Sequence, residues 1–132
     1  MIRVSPSIAS ADPLNLKGAV EFVERCGYKD LHIDIEDGNF IPNITFGMKT
    51  VRALRKATAL PFSFHLMALR PETYQDEILT LEPSIVFAHV EAVAYPSDFA
   101  ARLRRAGVRS GLALNPKTPV EPLPAGDRKS VV

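Results

Sequence analysis

Residues 31–47 read LHIDIEDGNFIPNITFG, with His32 and Asp34 two apart. Side chains at i and i+2 of a strand point to one face. If this stretch opens as a strand, an imidazole and a carboxylate stand side by side just before the chain turns at Asp37-Gly38. Such a pair is half of a metal site. A third candidate ligand, His65, ends a second apolar run, PFSFHLM. Glu36 continues the period of two and shares the face of His32 and Asp34, which makes it a further candidate. A mixed imidazole and carboxylate set suits zinc, iron, manganese or cobalt, so the identity of the ion stays open. Taken alone, a His-x-Asp pair is more often a hydrogen-bonded surface pair, and its surroundings have to decide.

The elements that must position these residues alternate strictly. Residues 2–8 read as a short strand broken by Pro6. Asp12-Pro13 offers an N-cap and a first helical residue, and Leu16, Val20 and Val23 follow on one helical face. Gly27 falls where a left-handed C-cap belongs. Residues 29–35 form the second predicted strand. Thr45 is positioned to cap a helix carrying Val51, Leu54 and Thr58. Residues 60–67 form the third strand, and Arg70-Pro71 opens a helix with Tyr74, Ile78 and Leu81 inward. Residues 84–90, SIVFAHV, are almost wholly apolar, as a strand covered on both faces should be. His89 near their end reads as a packed or backbone-bonded histidine. Tyr95-Pro96 opens the last helix, Gly107 closes it, and residues 108–114 form a fifth strand.

Alternation of this kind, at roughly 25 to 30 residues per unit, predicts parallel strands joined by right-handed crossovers. A doubly wound nucleotide-binding sheet would carry a glycine-rich first turn. Here that turn reads SPSIASADP, without glycine. The polar candidates cluster instead at the C-terminal ends of strands, where barrel enzymes place their chemistry.

The 132 residues have a net charge of +1, from 16 basic and 15 acidic side chains, and no basic block that would favour nucleic acid. No apolar run approaches the roughly 20 residues of a membrane helix. The amino-terminal stretch does not read as a signal peptide. Cys26 is the one cysteine, so no internal disulfide forms. A cytoplasmic protein without nucleic-acid or membrane partners is expected.

The segments SPSIASAD, LHIDIEDGNFIPNITFG, PFSFHLM, RPETY, HVEA and GLALNPKTP, in this order and spacing, resemble the ribulose-phosphate 3-epimerase family over residues 3 to about 121. The DIED and SFH segments are similar to its uncharacterised epimerase-like branch. The resemblance implies a (β/α)8 TIM barrel that binds one divalent metal ion. It also implies epimerisation of a ketopentose 5-phosphate at C3, by proton abstraction and return through an enediolate between two aspartates. Matched residue by residue, His32, Asp34 and His65 would be metal ligands, and Asp34 one of the two catalytic carboxylates. Ser7 and His65 would contact a small-molecule sugar phosphate, and Met67 would floor the reacting carbons. Glu36 stands where the main branch has methionine, and Ser63 where it has aspartate.

A whole barrel needs about 250 residues. The expectation is therefore an α/β, TIM-barrel-type fold truncated to about the first five strands and four helices, spanning residues 1–114. An irregular proline-rich segment, 115–132, should follow. The family's second half, with the other catalytic aspartate and the phosphate loops, has no counterpart here, so the epimerase activity should be impaired. The alternative is a catalytically inactive fragment or a self-associating half-barrel, a homo-oligomer formed through open sheet edges.

Overall fold

The computed structural model describes residues 4–119. Four parallel strands lie in the order β1-β2-β3-β4: Leu31–Glu36, Phe62–Met67, Pro83–His89 and Arg109–Ala113. Helix α1 (Leu16–Arg25) precedes β1, and α2 (Met48–Ala57), α3 (Gln75–Leu79) and α4 (Pro96–Arg105) make the three crossovers. Strand order follows chain order with no switch point, which is the pattern of a barrel wall and not of a doubly wound sheet. The chain is thus a parallel α/β sheet consistent with part of a TIM barrel.

Period-2 patterning sorts the sheet into two faces. Leu31, Ile33 and Ile35 of β1, Phe62, Phe64 and Leu66 of β2, and Val86 and Ala88 of β3 are buried. They form one core with Val20 of α1, Val51 and Leu54 of α2, Ile78 of α3, and Phe99 and Leu103 of α4. Each such large side chain contributes roughly 1.5–3 kcal/mol on leaving water. The alternate residues His32, Asp34, Ser63, His65 and Phe87 lie on the opposite, concave face. That face opens as a cavity of about 390 Å³, with Ser5, His32, Ser63, Phe87 and Arg109 in its lining.

Two expectations about elements change. The opening strand does not extend into a ladder within the described residues. Ser7 makes a single parallel bridge to His32, and His32 N–H donates to the Pro6 carbonyl at 2.8 Å. Residues 1–3 lie outside the described residues. Thr45 does not cap α2, whose N-cap is Gly47. Its hydroxyl instead donates to the Asp34 carbonyl at 2.8 Å and accepts from Glu36 N–H at 3.3 Å. Among the described residues, β1 has no neighbouring strand on that side beyond the Ser7 bridge, and the Thr45 hydroxyl pairs the Asp34 carbonyl and the Glu36 N–H there.

Other local signals act near where they were read. Asp12 Oδ1 accepts from Leu14 N–H at 2.9 Å, but it caps a single 3-10 turn, Pro13–Asn15; Asn15 then caps α1. Gly27 and Gly107 take φ of +78° and +76° after α1 and α4, a conformation in which any Cβ is strained. Of the proline-rich segment, residues 115–119 are loop and turn, and residues 120–132 lie outside the described residues.

Candidate metal centre

The register of the first two strands builds the site. Asp34 of β1 pairs with His65 of β2, so their side chains emerge side by side on the concave face. His32 sits one pleat earlier on the same face. The Nε2 of His32 lies 3.3 Å from Asp34 Oδ1, and the Nδ1 of His65 lies 3.2 Å from the same oxygen. One ligating atom from each of the three residues falls within 4.8 Å of the others. Donors held about 2 Å from a tetrahedral ion stand about 3.3 Å apart. The two donor separations from Asp34 match that edge, so the residues present fit a small divalent cation.

Hydrogen bonds fix each member. Ser7 Oγ–H donates to Asp34 Oδ2, leaving Oδ1 to the imidazoles. The Nδ1 of His32 is 2.6 Å from Ser63 Oγ, which is itself 3.3 Å from Ser5 Oγ. The far nitrogen of His65, Nε2, is 2.9 Å from Nε2 of His89 at the end of β3. His89 is buried, lies under the Phe40 ring at a centroid distance of 4.8 Å, and turns its Nδ1 to Glu91 Oε2 at 3.3 Å. Glu91 Oε1 accepts from Asn115 N–H at 2.7 Å and from the Thr118 hydroxyl.

The electrostatics follow from these contacts. Burial pushes the Asp34 carboxyl up, but hydrogen bonds from His32, His65 and Ser7 outweigh it and hold it far below the usual carboxylate range. Asp34 is an anion at neutral pH, as a ligand or a base must be. Burial, then the neighbouring His65, lowers His89, while Glu91 opposes them. Burial raises Glu91, but the Thr118 hydroxyl and the Asn115 N–H bring it below its ordinary value.

Asp37 works beside the site and not in it. Its carboxylate accepts from Phe40 N–H and Leu69 N–H, each at 2.8 Å, and from Asn39 N–H at 2.9 Å. It ties the loop after β1 to the end of β2 and sets Phe40 over His89.

The candidates named from sequence fall as follows. His32, Asp34 and His65 converge, and Ser7 touches Asp34. Met67 pairs with Glu36 across β1 and β2, one pleat beyond the cluster, and is half-buried. The carboxylate of Glu36 is taken by Asn43 Nδ2–H at 2.5 Å and does not join the three-residue group. Sequence reasoning passed over His89 and Glu91. The signal was a second histidine at a strand end, read only as packing, followed two residues later by a glutamate that was given no role of its own.

The fold and the cluster define a parallel α/β wall with a candidate metal centre near the C-terminal ends of its strands. The model of the ribulose-phosphate 3 epimerase family matches residues 3–125, and the chain belongs to that family. It is 40% identical over 121 residues to a protein of Bacillus subtilis (strain 168) named ribulose-phosphate 3-epimerase, covering 92% of this chain and 56% of that one. Proteins of the same name from Treponema pallidum (strain Nichols) and Methanocaldococcus jannaschii are 37% and 33% identical, covering 91% and 92% of this chain and 55% and 51% of theirs. The chain spans about half the length of the curated relatives it matches. Among the described residues, no helix is long and apolar enough to cross a membrane.

Proposed function

We propose that this chain carries the cation-binding half, and one of the two proton-transfer groups, of a sugar-phosphate 3-epimerase site. The convergence of His32, Asp34 and His65 on the rim of a wall from this family supports the reading. In it, His32 Nε2, Asp34 Oδ1 and His65 Nδ1 hold one divalent ion, zinc, iron, manganese or cobalt. An ion held there would supply a Lewis acid for a substrate carbonyl and for the negative charge left when the adjacent carbon loses its proton.

The chain's own groups do the rest. Asp34, ionised and steadied by Ser7, takes the proton at C3 of ribulose 5-phosphate or xylulose 5-phosphate. Ser7 and His65 contact the sugar phosphate, and Met67 offers an apolar surface under its carbons. Glu36, held by Asn43, stands one pleat beyond Asp34 on β1, where it would meet the substrate's polar periphery. Epimerisation needs a proton taken from one face and returned to the other. Among the described residues the group contains one carboxylate, Asp34, so exchange should outrun inversion.

The test is incubation of the zinc- or manganese-loaded chain with D-xylulose 5-phosphate, and separately with D-ribulose 5-phosphate, in D2O. Deuterium should enter at C3 of one epimer, slowly and with little conversion to the other, and Asp34→Asn should abolish it. No exchange with either sugar would overturn the assignment of Asp34; rapid interconversion would overturn the one-carboxylate limit.

A second reading has its own observation. Among the described residues β4 pairs only with β3, and the concave face is an open cavity. An unpaired parallel edge invites another chain. On this reading the chain acts as an inactive or self-associating half-barrel. Light scattering should give a mass above one chain if it self-associates, and a monomer at all concentrations would exclude that arm; C3 exchange in the D2O experiment would exclude the inactive one.

A further inference from the structure

We propose that Thr45 is a positioning residue for Asp34: its hydroxyl donates to the Asp34 backbone carbonyl at 2.8 Å, from a loop that folds back along β1, and so fixes where the Asp34 carboxylate stands against a sugar carbon. The inference deepens the epimerase reading above and rests on it for the proton that Asp34 moves, though not for the geometry.

Strand β1 is held unequally along its two edges. Alternate residues of a strand turn their backbone groups to opposite edges. Leu31 N–H pairs with the Pro61 carbonyl on the β2 side, and His32 N–H with the Pro6 carbonyl on the other. Asp34 and Glu36 share the parity of His32. Their backbone groups therefore face the edge where, among the described residues, strand pairing goes no further than the bridge at Ser7. Backbone groups without partners are costly, and strand ends held on one edge open first. Thr45 reaches both groups. Its one hydroxyl proton goes to the Asp34 carbonyl, and its lone pairs accept from Glu36 N–H at 3.3 Å. One side chain thus pins the peptide groups on either side of Ile35.

Thr45 is itself delivered by a closed turn. Asp37 and Ile44 form an antiparallel bridge, and Gly38 N–H donates to the Asn43 carbonyl at 2.9 Å. Gly38 takes φ of +73°, and a Cβ there would stand 3.0 Å from Ile44, so the turn requires glycine. Asn43 Nδ2–H adds a second tie to β1 at the Glu36 carboxylate. Asp34 is then held from two ends. Ser7 and the two imidazoles set the direction of its carboxylate, and Thr45 sets the peptide from which that side chain springs. A base has to sit within reach of the proton it takes, and a displacement of about 1 Å costs about 100-fold in rate.

The experiment compares the wild-type chain with Thr45→Val, which keeps the shape and removes the hydroxyl, and Thr45→Ser, which keeps the hydroxyl. Thr45→Ala tests the same loss should the valine not fit. In zinc-free protein, the 13C shift of the Asp34 carbonyl and the amide exchange of Glu36 should change in Thr45→Val and Thr45→Ala and return towards wild type in Thr45→Ser. In the zinc-loaded chain, kcat for deuterium uptake at C3 of D-xylulose 5-phosphate or D-ribulose 5-phosphate should fall about 10- to 100-fold in Thr45→Val and Thr45→Ala. KM should hold, because the hydroxyl acts through Asp34 and not on the sugar, and Thr45→Ser should recover most of the rate. Wild-type kcat in a folded Thr45→Val, an equal loss in Thr45→Ser, or a change confined to KM would overturn the proposal. So would zinc-free signals that ignore the hydroxyl. A wild-type chain that takes up no deuterium, with zinc-free signals responding as stated, would refute the epimerase reading instead and leave the hold of Thr45 on Asp34 standing.

Discussion

The Nδ1 of His32 lies 2.6 Å from the Oγ of Ser63, its partner in the β1–β2 register. Ser63 is almost fully buried, and its hydroxyl has Ser5 Oγ on its other side at 3.3 Å. This contact does for His32 what His89 does for His65: it occupies the nitrogen that faces away from Asp34. Removing it frees the ring to rotate. Ser63→Ala should weaken zinc binding about tenfold and lower stability by about 1 kcal/mol. A competition assay with a colorimetric chelator, paired with urea unfolding, checks both.

Asp34 is the shared contact of both imidazoles and of Ser7. Asp34→Asn keeps the shape and removes the charge. Zinc affinity should fall by about 100-fold or more, beyond the usual effect of an outer-shell change. The fold should persist, since the core lies on the other face of the sheet, and circular dichroism would show whether it does.

Acid should destabilise the metal-free protein. Asp34 and Glu91 have folded-state pKa values below their ordinary 3.8 and 4.5. The unfolded chain therefore binds protons more readily, and stability rises with pH through this range. The contribution is fully present above about pH 5 and is lost as pH falls through the carboxylate range. His89, lowered from 6.5, acts in the same direction, beginning nearer neutrality. Urea midpoints should decline steadily from pH 7 to pH 4, and Asp34→Asn should flatten the lower part of that curve.

Asp37 binds three backbone N–H groups from two loops. Asp37→Ala should cost about 1–2 kcal/mol. Its effect on the site should be indirect, through Phe40: hydrogen exchange at Leu69 and Phe40 should accelerate more than exchange in β2 and β3.

Phe64 is fully buried against the helices, one residue before His65. Phe64→Ala should cost about 3–5 kcal/mol, a large share of the roughly 5–15 kcal/mol of a typical domain. Thermal unfolding should shift far enough down that the variant is partly unfolded at 37 °C.

Much of the fold was legible because strands and helices here are coded by local periodicity. Leu31, Ile33 and Ile35 alternate with polar residues, and Val51 and Leu54 share a helical face. Gly27 and Gly107, with positive φ, mark the ends of α1 and α4. Misreadings occurred where a residue's partner was distant. Thr45 looks like a cap in one dimension, but it bonds the backbone of Asp34 and Glu36 in β1, eleven and nine residues earlier and around a loop. Residues 2–8 look like a strand, yet within the described residues only Ser7 is bridged. Pairing is a property of two segments, and sequence shows one at a time.

The candidate site divides the same way. The sequence by itself determined that His32 and Asp34 share a face, because a strand's pleat fixes that with no reference to anything else. It also determined family membership, through long motifs in order. Only the tertiary structure decided that Asp34 meets His65, since parallel register is set by how the helices pack the buried side of the sheet. And only the tertiary structure brought His89, read in the sequence as a packing residue, against the far nitrogen of His65. The two are 24 residues apart along the backbone and 2.9 Å apart in space, a separation that no local rule of propensity or spacing encodes.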